Sequence, residues 1–280
     1  MASTRSPKNL WMPDRADRIA AVMAGLGPVV VACSGGIDSL LLATVAHRRA
    51  PGGVVVAHAI SPAVPGAATS RVREQAAAEG WDLRIVRSGE FSNEDYLANP
   101  VNRCYFCKSN LYASLTPIAA QLAGIGTVLS GANLDDLGEY RPGLAAAAEA
   151  GVRHPWIEAD FAKADIRALA RTLGRDFADL PASPCLASRL YTGTRVTPAR
   201  LAAIEACEAL VRQQTGIAVV RCRVRATDML VEVQAEDRGR IGADILARLV
   251  ALAQGHELSI ASVTLDPEPY RAGRSHLVDG

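Results

Sequence analysis

The run "PVVVACSGGIDSLLLATVAHRR", residues 28 to 49, constrains the fold more than any other stretch. A β-branched apolar segment turns through two glycines straight into an amphipathic, leucine- and alanine-rich pattern. A buried strand must therefore feed a helix almost without a loop. The alternation recurs: "GVVVAHAI", "DLRIVRS" and "GTVLSGA" read as three more strands. "RVREQAAAEG", closed by Gly80, and "KADIRALARTLG", ending at Gly174, read as helices. Helical crossovers between successive strands imply a parallel sheet with right-handed connections. The expectation is an α/β chain whose first 190 residues form a Rossmann-like domain.

Beyond "DLPASPCLASRLYTGTRVTP" the pattern changes. This Pro, Ser and Gly-rich junction leads into a helix over 198–214, strands over 217–226 and 229–235, a helix over 238–254 and a strand over 257–265. Residues 191–280 are thus expected to form a smaller α+β domain serving substrate binding or oligomerisation. A homo-oligomer is compatible with the chain.

Thirty basic residues against 29 acidic ones leave a net charge of +1, too little for a broad polyanion-binding surface, so nucleic acid is disfavoured as a partner. No apolar run approaches the roughly 18 residues of a membrane span. "MASTRSPKNLWMPDRADR" lacks the apolar centre of a signal peptide, so a cytoplasmic setting is expected. In a reducing compartment the six cysteines are not read as a disulfide framework, and a close pair suggests metal or sulfur chemistry.

In "SGGIDS" the glycines of the first strand-to-helix turn can present backbone N–H groups to an anion, and the helix N-terminus adds partial positive charge. A phosphate is the natural guest of Ser34, Gly35, Gly36 and Ser39, and Asp38 can hold Mg²⁺ against it. The ordinary alternative is a glycine-rich turn with Ser or Asp as helix cap. The stretch is neither a Walker A nor a dinucleotide fingerprint.

Cys104 and Cys107 stand at C-x-x-C spacing in "NRCYFCK", and Cys185 lies in the junction. A fourth ligand is not evident; His154, in "RHPWIE", is the nearest candidate. Structural zinc takes four protein ligands, whereas three thiolates with an open position suit a [4Fe–4S] cluster. A redox pair that ignores Cys185 and three cysteines that never meet stay open from spacing alone. Cys33, Cys207 and Cys222 read as packing residues.

"SGGIDS" resembles the PP-loop of ATP pyrophosphatases, which cleave ATP to AMP and pyrophosphate. Together with "NPVNRCYFCK", "GANLDDLGEYRPG", "KADIRALARTLG" and "PASPCLASRL", it makes most of the chain resemble the LarE family of ATP-dependent sulfur transferases. The resemblance implies a pyridinium dicarboxylate mononucleotide as substrate, thiolated on the way to the nickel-pincer nucleotide of lactate racemase. It implies Mg²⁺ and ATP, an external sulfide donor, and pyrophosphate held by Ser34, Gly35, Gly36, Asp38 and Ser39. Family members with the "CLASR" cysteine alone sacrifice its sulfur. Those with three cysteines resemble this chain and imply a [4Fe–4S] cluster on Cys104, Cys107 and Cys185. A tRNA-thiolating PP-loop enzyme, an amidating ligase, sacrifice of Cys185 and a non-enzymatic nucleotide-binding module are the rivals.

Asp135 and Asp136 follow a strand at the carboxyl edge of the sheet, where they cap a helix or meet Mg²⁺, and the resemblance implies that Gly131 and Asn133 of the same turn lie near the nucleotide. Lys163 and Arg167, at i,i+4, read as a phosphate clamp or a solvated face. Alternation in "IAVVRCRVRA" puts Arg221, Arg223 and Arg225 on one face of a strand, a phosphate receptor or simply a charged outer face. Glu208 falls within the apolar stripe of Leu201, Ile204 and Val211, so it is expected to meet one of these strand arginines or a cation. The resemblance assigns Ser188, Arg189, Glu208, Arg223 and Arg225 to the substrate, with Arg141 and Asp237 as weaker candidates.

Overall fold

A computed structural model describes residues 13–124, 126–138, 141–271 and 274. Residues 1–12 of the stretch read for a leader lie outside them. The chain forms two compact units, one drawn from Met1–Ala59, Ser70–Val86 and Tyr112–Leu180, the other from Ile60–Thr69, Arg87–Leu111 and Pro181–Gly280.

Ahead of the first strand runs α1 (Pro13–Ala24). The first unit is then built on β1 (Val29–Ala32), β2 (Val54–Ala59), β3 (Asp82–Val86) and β4 (Thr127–Ser130). All four are parallel, in the order β3-β2-β1-β4, and Val29 stands opposite Val54 on one side and Thr127 on the other. The α/β expectation holds. Helix α2 (Ile37–Arg49) follows β1 and is buried from Ile37 through Ala46, apart from Asp38, because it lies over the centre of the sheet. Its Leu40–Ala43 run packs with Val29, Val31, Trp156, Phe161 and Ile166 in one core. The connections to β2 and β3 lead away on one side of β1 and β4 lies on the other. The carboxyl end of β1 is therefore the switch point where ligands collect in open α/β sheets.

Helices α3 (Gly66–Glu79), α4 (Glu94–Leu97) and α5 (Arg103–Ala120) come next. They are followed by α6 (Pro142–Glu149), α7 (Pro155–Glu158) and α8 (Lys163–Thr172). The sequence reading assigned no element to α5, which starts at the C-x-x-C segment and carries Pro117 within it; it lacks the apolar stripe that marks an amphipathic helix.

The second unit has its own core. Helix α9 (Pro198–Thr215) starts where Thr197 Oγ1 accepts from Arg200 N at 3.2 Å and ends at Gly216, whose φ of 69° only glycine adopts without strain. Its Leu201, Ile204, Cys207 and Val211 bury against Val220, Cys222 and Val224 of β5 (Val220–Arg225). The β5 strand pairs antiparallel with β6 (Asp228–Val233), which pairs parallel with β7 (Ser262–Leu265). Helix α10 (Ala243–His256) starts at Ala243 rather than 238, because residues Ala235–Arg240 form a 3-10 turn. The last strand starts at Ser262 rather than 257, since Glu257 takes Ser259 N and Oγ into a turn. Among the described residues no helix is long and apolar enough to cross a membrane.

Candidate functional site

The glycine turn is shaped by its own side chains and leaves its helix uncapped. Gly35 has a φ of 81°, and Gly36 is the N-cap of α2 with no side-chain hydrogen bond. The capping alternative is therefore not what folds: neither Ser34 nor Asp38 closes the helix end. Ser39 Oγ instead donates to Gly36 O at 3.0 Å, accepts from Ser34 N at 3.1 Å and lies 3.2 Å from Ser34 Oγ. Arg71, which sequence reasoning passed over, donates from Nη1 to Gly35 O at 2.6 Å and brings a positive charge to the turn. An uncapped N-terminus of a thirteen-residue helix at a sheet switch point leaves backbone N–H groups that can receive an anion.

Gly131 follows β4 because the chain there presses onto α2; a Cβ at this position would stand 3.0 Å from Asp38 C and Ser39 N. It shapes the site by absence of a side chain. Asn133, buried, accepts from Asp135 N through Oδ1 at 3.0 Å, while Asp136 Oδ2 accepts from Asn133 N at 3.1 Å. Asp135 Oδ2 accepts from Lys163 N at 3.1 Å and so closes the start of α8. Asp136 pairs with Arg141 at 3.1 Å.

Asp38 is the odd member. Its Oδ1 is shut away from solvent without a hydrogen-bond partner. Burial pushes the carboxyl up, Lys163 and Arg167 pull it down, and Asp136 raises it again. Two neighbouring acids with one orphaned oxygen form a donor set suited to Mg²⁺. Arg167 uses Nη1 and Nη2 on Ala178 O and Leu180 O, at 2.9 and 2.7 Å, so its guanidinium braces a turn while its charge acts on Asp38. Lys163 and Arg167 are half-buried rather than a solvated face.

Cys104, Cys107 and Cys185 are free thiols of the second unit. They act on one another and on Arg103. Burial pushes Cys107 up to about 12, Lys108 opposes it, and Cys185, Glu90 and Cys104 raise it further. Three thiolates here need added positive charge. Among the described residues no three His, Cys, Asp or Glu side chains are gathered tightly enough to ligate one metal ion. The thiols suit an iron–sulfur group in kind, and the orphaned buried donors Arg103 Nη2 and Tyr96 Oη beside them suit its sulfur. His154 Nδ1 lies 2.8 Å from Ser130 Oγ.

The Cys185 segment is held by four arginines through its carbonyl oxygens. Arg221 donates to Ala182 O at 2.8 Å, and Arg189 to Pro184 O at 2.7 Å and Cys185 O at 3.1 Å. Arg103 donates to Ala187 O at 2.9 Å and Arg223 to Ser188 O at 3.2 Å. Two buried carboxylates anchor this set. Glu208, 2% exposed, accepts from Arg189, Arg212 and the N–H of Cys222. Burial pushes its carboxyl up, and Arg189, Arg221 and Arg212 more than reverse this, leaving it below the ordinary carboxylate range. Glu232 accepts from Arg223 Nε at 2.6 Å.

The curated protein slr1717 of Synechocystis sp., described as uncharacterized, is 36% identical over 254 residues, covering 90% of this chain and 93% of its own. A pyridinium-3,5-bisthiocarboxylic acid mononucleotide synthase of Lactiplantibacillus plantarum is 32% identical over 257 residues, 91% of each chain. The chain belongs to the LarE family. No family model matches it. An uncharacterized protein of Methanocaldococcus jannaschii, MJ0830, is 27% identical over 75% of the chain.

Within this LarE-family chain the strand arginines are not a charged outer face. Arg221 and Arg223 are 7% and 4% exposed, and both reach carbonyls of the Cys185 segment. Arg225, exposed, lies over the Tyr191 ring at 5.7 Å. Ser188 Oγ accepts from Arg189 at 3.0 Å. Asp237 pairs with Arg240 across one helical turn.

Proposed function

We propose that this chain is an ATP-dependent sulfur transferase of nickel-pincer nucleotide biosynthesis, acting on a pyridinium carboxylate mononucleotide. The observation that carries the reading is its relation, over nine-tenths of both chains, to the L. plantarum synthase. The geometry of the glycine turn supports the ATP half. Ser34, Gly35, Gly36 and the uncapped start of α2 receive the phosphates, and Asp38 with Asp136 holds Mg²⁺ against them. Arg71 and Lys163 add positive charge. The substrate carboxylate attacks the α-phosphorus, pyrophosphate leaves, and an acyl adenylate forms. AMP is then a good leaving group for sulfur attack, and a second cycle converts the second carboxylate.

Cys104, Cys107 and Cys185 would hold a [4Fe–4S] cluster, which when bound supplies sulfide from an external donor for displacement of AMP. The arginine set around Ala182–Ser188 fixes the backbone of Cys185 and keeps positive charge around it. Arg223 and Glu208 thus serve the substrate through the segment they hold, and Arg225 is the exposed member that can meet a substrate phosphate.

The test is pyrophosphate and AMP release, measured with and without a pyridinium dicarboxylate mononucleotide. The reading expects pyrophosphate only with the acceptor, and AMP together with a thiocarboxylate when sulfide is also supplied. Release stimulated by tRNA instead would move the chain to the RNA-thiolating class, and no release under any condition would make it a binding module.

A further inference from the structure

Two buried hydrogen-bond donors beside the cysteines have nothing to bond. Arg103 is 3% exposed and charged at every accessible pH. Its Nη1 donates to Asn99 Oδ1 and to Ala187 O, but Nη2 is closed off from solvent with no partner. Cys185, Cys104, Tyr96 and Cys107 are the groups within electrostatic reach of it. None of these four groups is a carboxylate.

Tyr96 is 1% exposed, packed edge-on against Phe91 with ring centroids 5.5 Å apart. Its Oη is also buried and unpartnered. Cys185 and Cys107 lie within electrostatic reach of it, and a phenolic O–H is a hydrogen-bond donor. Cys107 and Cys185 pack against the core that contains Tyr96. Glu90, buried and accepting from Ser88 Oγ, and Lys108 are the other charged groups that act on Cys107.

Buried polar groups of a folded protein are almost always bonded, and an orphan is costly unless a missing guest completes it. Here two donors are left over, one of them cationic, against a set of three sulfurs. We infer that Arg103 Nη2 and Tyr96 Oη are positioning donors for an anionic sulfur group held by Cys104, Cys107 and Cys185, each giving it one hydrogen bond. The inference rests on the proposed function, in which sulfur is carried at these cysteines. It adds that the sulfur has two fixed outer partners, supplied by the start of α5 and by α4.

The test uses the full chain, reconstituted with iron and sulfide under anaerobic conditions, as wild type, Tyr96→Phe and Arg103→Lys. Iron release to excess chelator is followed, together with thermal unfolding of the iron-free proteins. Outer partners of a metal site are worth about 10–100-fold in affinity, so Tyr96→Phe should release iron about tenfold faster than wild type. Arg103→Lys should move the same way. Iron-free Tyr96→Phe should melt no lower, since it loses only an unpaired hydroxyl. Equal release from wild type and Tyr96→Phe overturns the inference and leaves the function standing. Faster release matched by a lower melting temperature of the iron-free form also overturns it, marking Tyr96 as a packing residue.

Iron absent from reconstituted wild type removes the cluster from the functional reading instead, and cysteine persulfide then decides the inference. In that arm a thiolate takes one sulfur atom from polysulfide and the polysulfide, one sulfur shorter, leaves. The persulfide should decay faster in Tyr96→Phe, which has lost one hydrogen bond to its outer sulfur; equal decay overturns the inference. A wild type that takes up neither iron nor sulfur overturns both.

Discussion

Asp38→Asn should slow pyrophosphate release by about 10²–10³-fold while leaving the unliganded protein at least as stable as wild type. The carboxylate sits at the first turn of α2 with Oδ1 buried and unbonded, and burial already pushes its carboxyl up. In the free protein its charge is a liability, which the amide removes with little change of shape. In the proposed function the same charge would hold Mg²⁺ against the phosphates, and the amide would not replace it. Loss of one preorganised charge contact to a reacting group costs about 10²–10³-fold in rate. Pyrophosphate release and thermal melting of the same preparation check both halves. A variant that keeps wild-type turnover would remove Asp38 from the metal site.

Glu208→Ala should have the largest effect on stability. Glu208 takes Arg189 through both carboxylate oxygens, at 3.0 and 3.3 Å, Arg212 at 2.7 Å and the backbone N–H of Cys222 at 3.2 Å. Removing it strands the buried guanidinium of Arg189 and one buried N–H. Breaking such a pair from one side costs about 3–5 kcal/mol, read as a lower urea midpoint. The pH dependence carries a sign. The folded pKa lies below the unfolded one, so the stabilisation is present above the ordinary carboxylate pKa and is lost as pH falls through the folded value. Wild type should lose its advantage over the variant in acid. A variant as stable as wild type at neutral pH, with weaker substrate binding alone, would make Glu208 a ligand rather than a support.

The glycine turn was legible because all its determinants are local: a β-branched strand, two glycines and a buried helix within 22 residues. The strand arginines were not. Alternation placed Arg221, Arg223 and Arg225 on one face correctly, but it carries no information on what covers that face. Arg221 and Arg223 are buried because the carbonyls of Ala182 and Ser188 lie within their reach. Glu208 needed a cationic partner because of its place in an apolar stripe, but it pairs with Arg189 and Arg212 rather than with a strand arginine, since a loop fold that no periodicity encodes brings Arg189 to it. Arg71, Tyr96 and Arg103 were missed for a related reason. Each acts through one or two atoms placed by the tertiary fold. Only Arg103, next to Cys104 in "NRCYFCK", left a trace in the sequence, as a cation adjoining a thiol pair.

In the proposed function, sulfur held on three cysteines is passed on and renewed rather than cut out of the chain. The most direct measurement is the mass of the protein, and the amount of thiocarboxylate per chain, after turnover with Mg²⁺, ATP, the mononucleotide and supplied sulfide. The account predicts several products per chain with Cys185 unchanged in mass. At most one product per chain, matched by loss of one sulfur from Cys185, would contradict it.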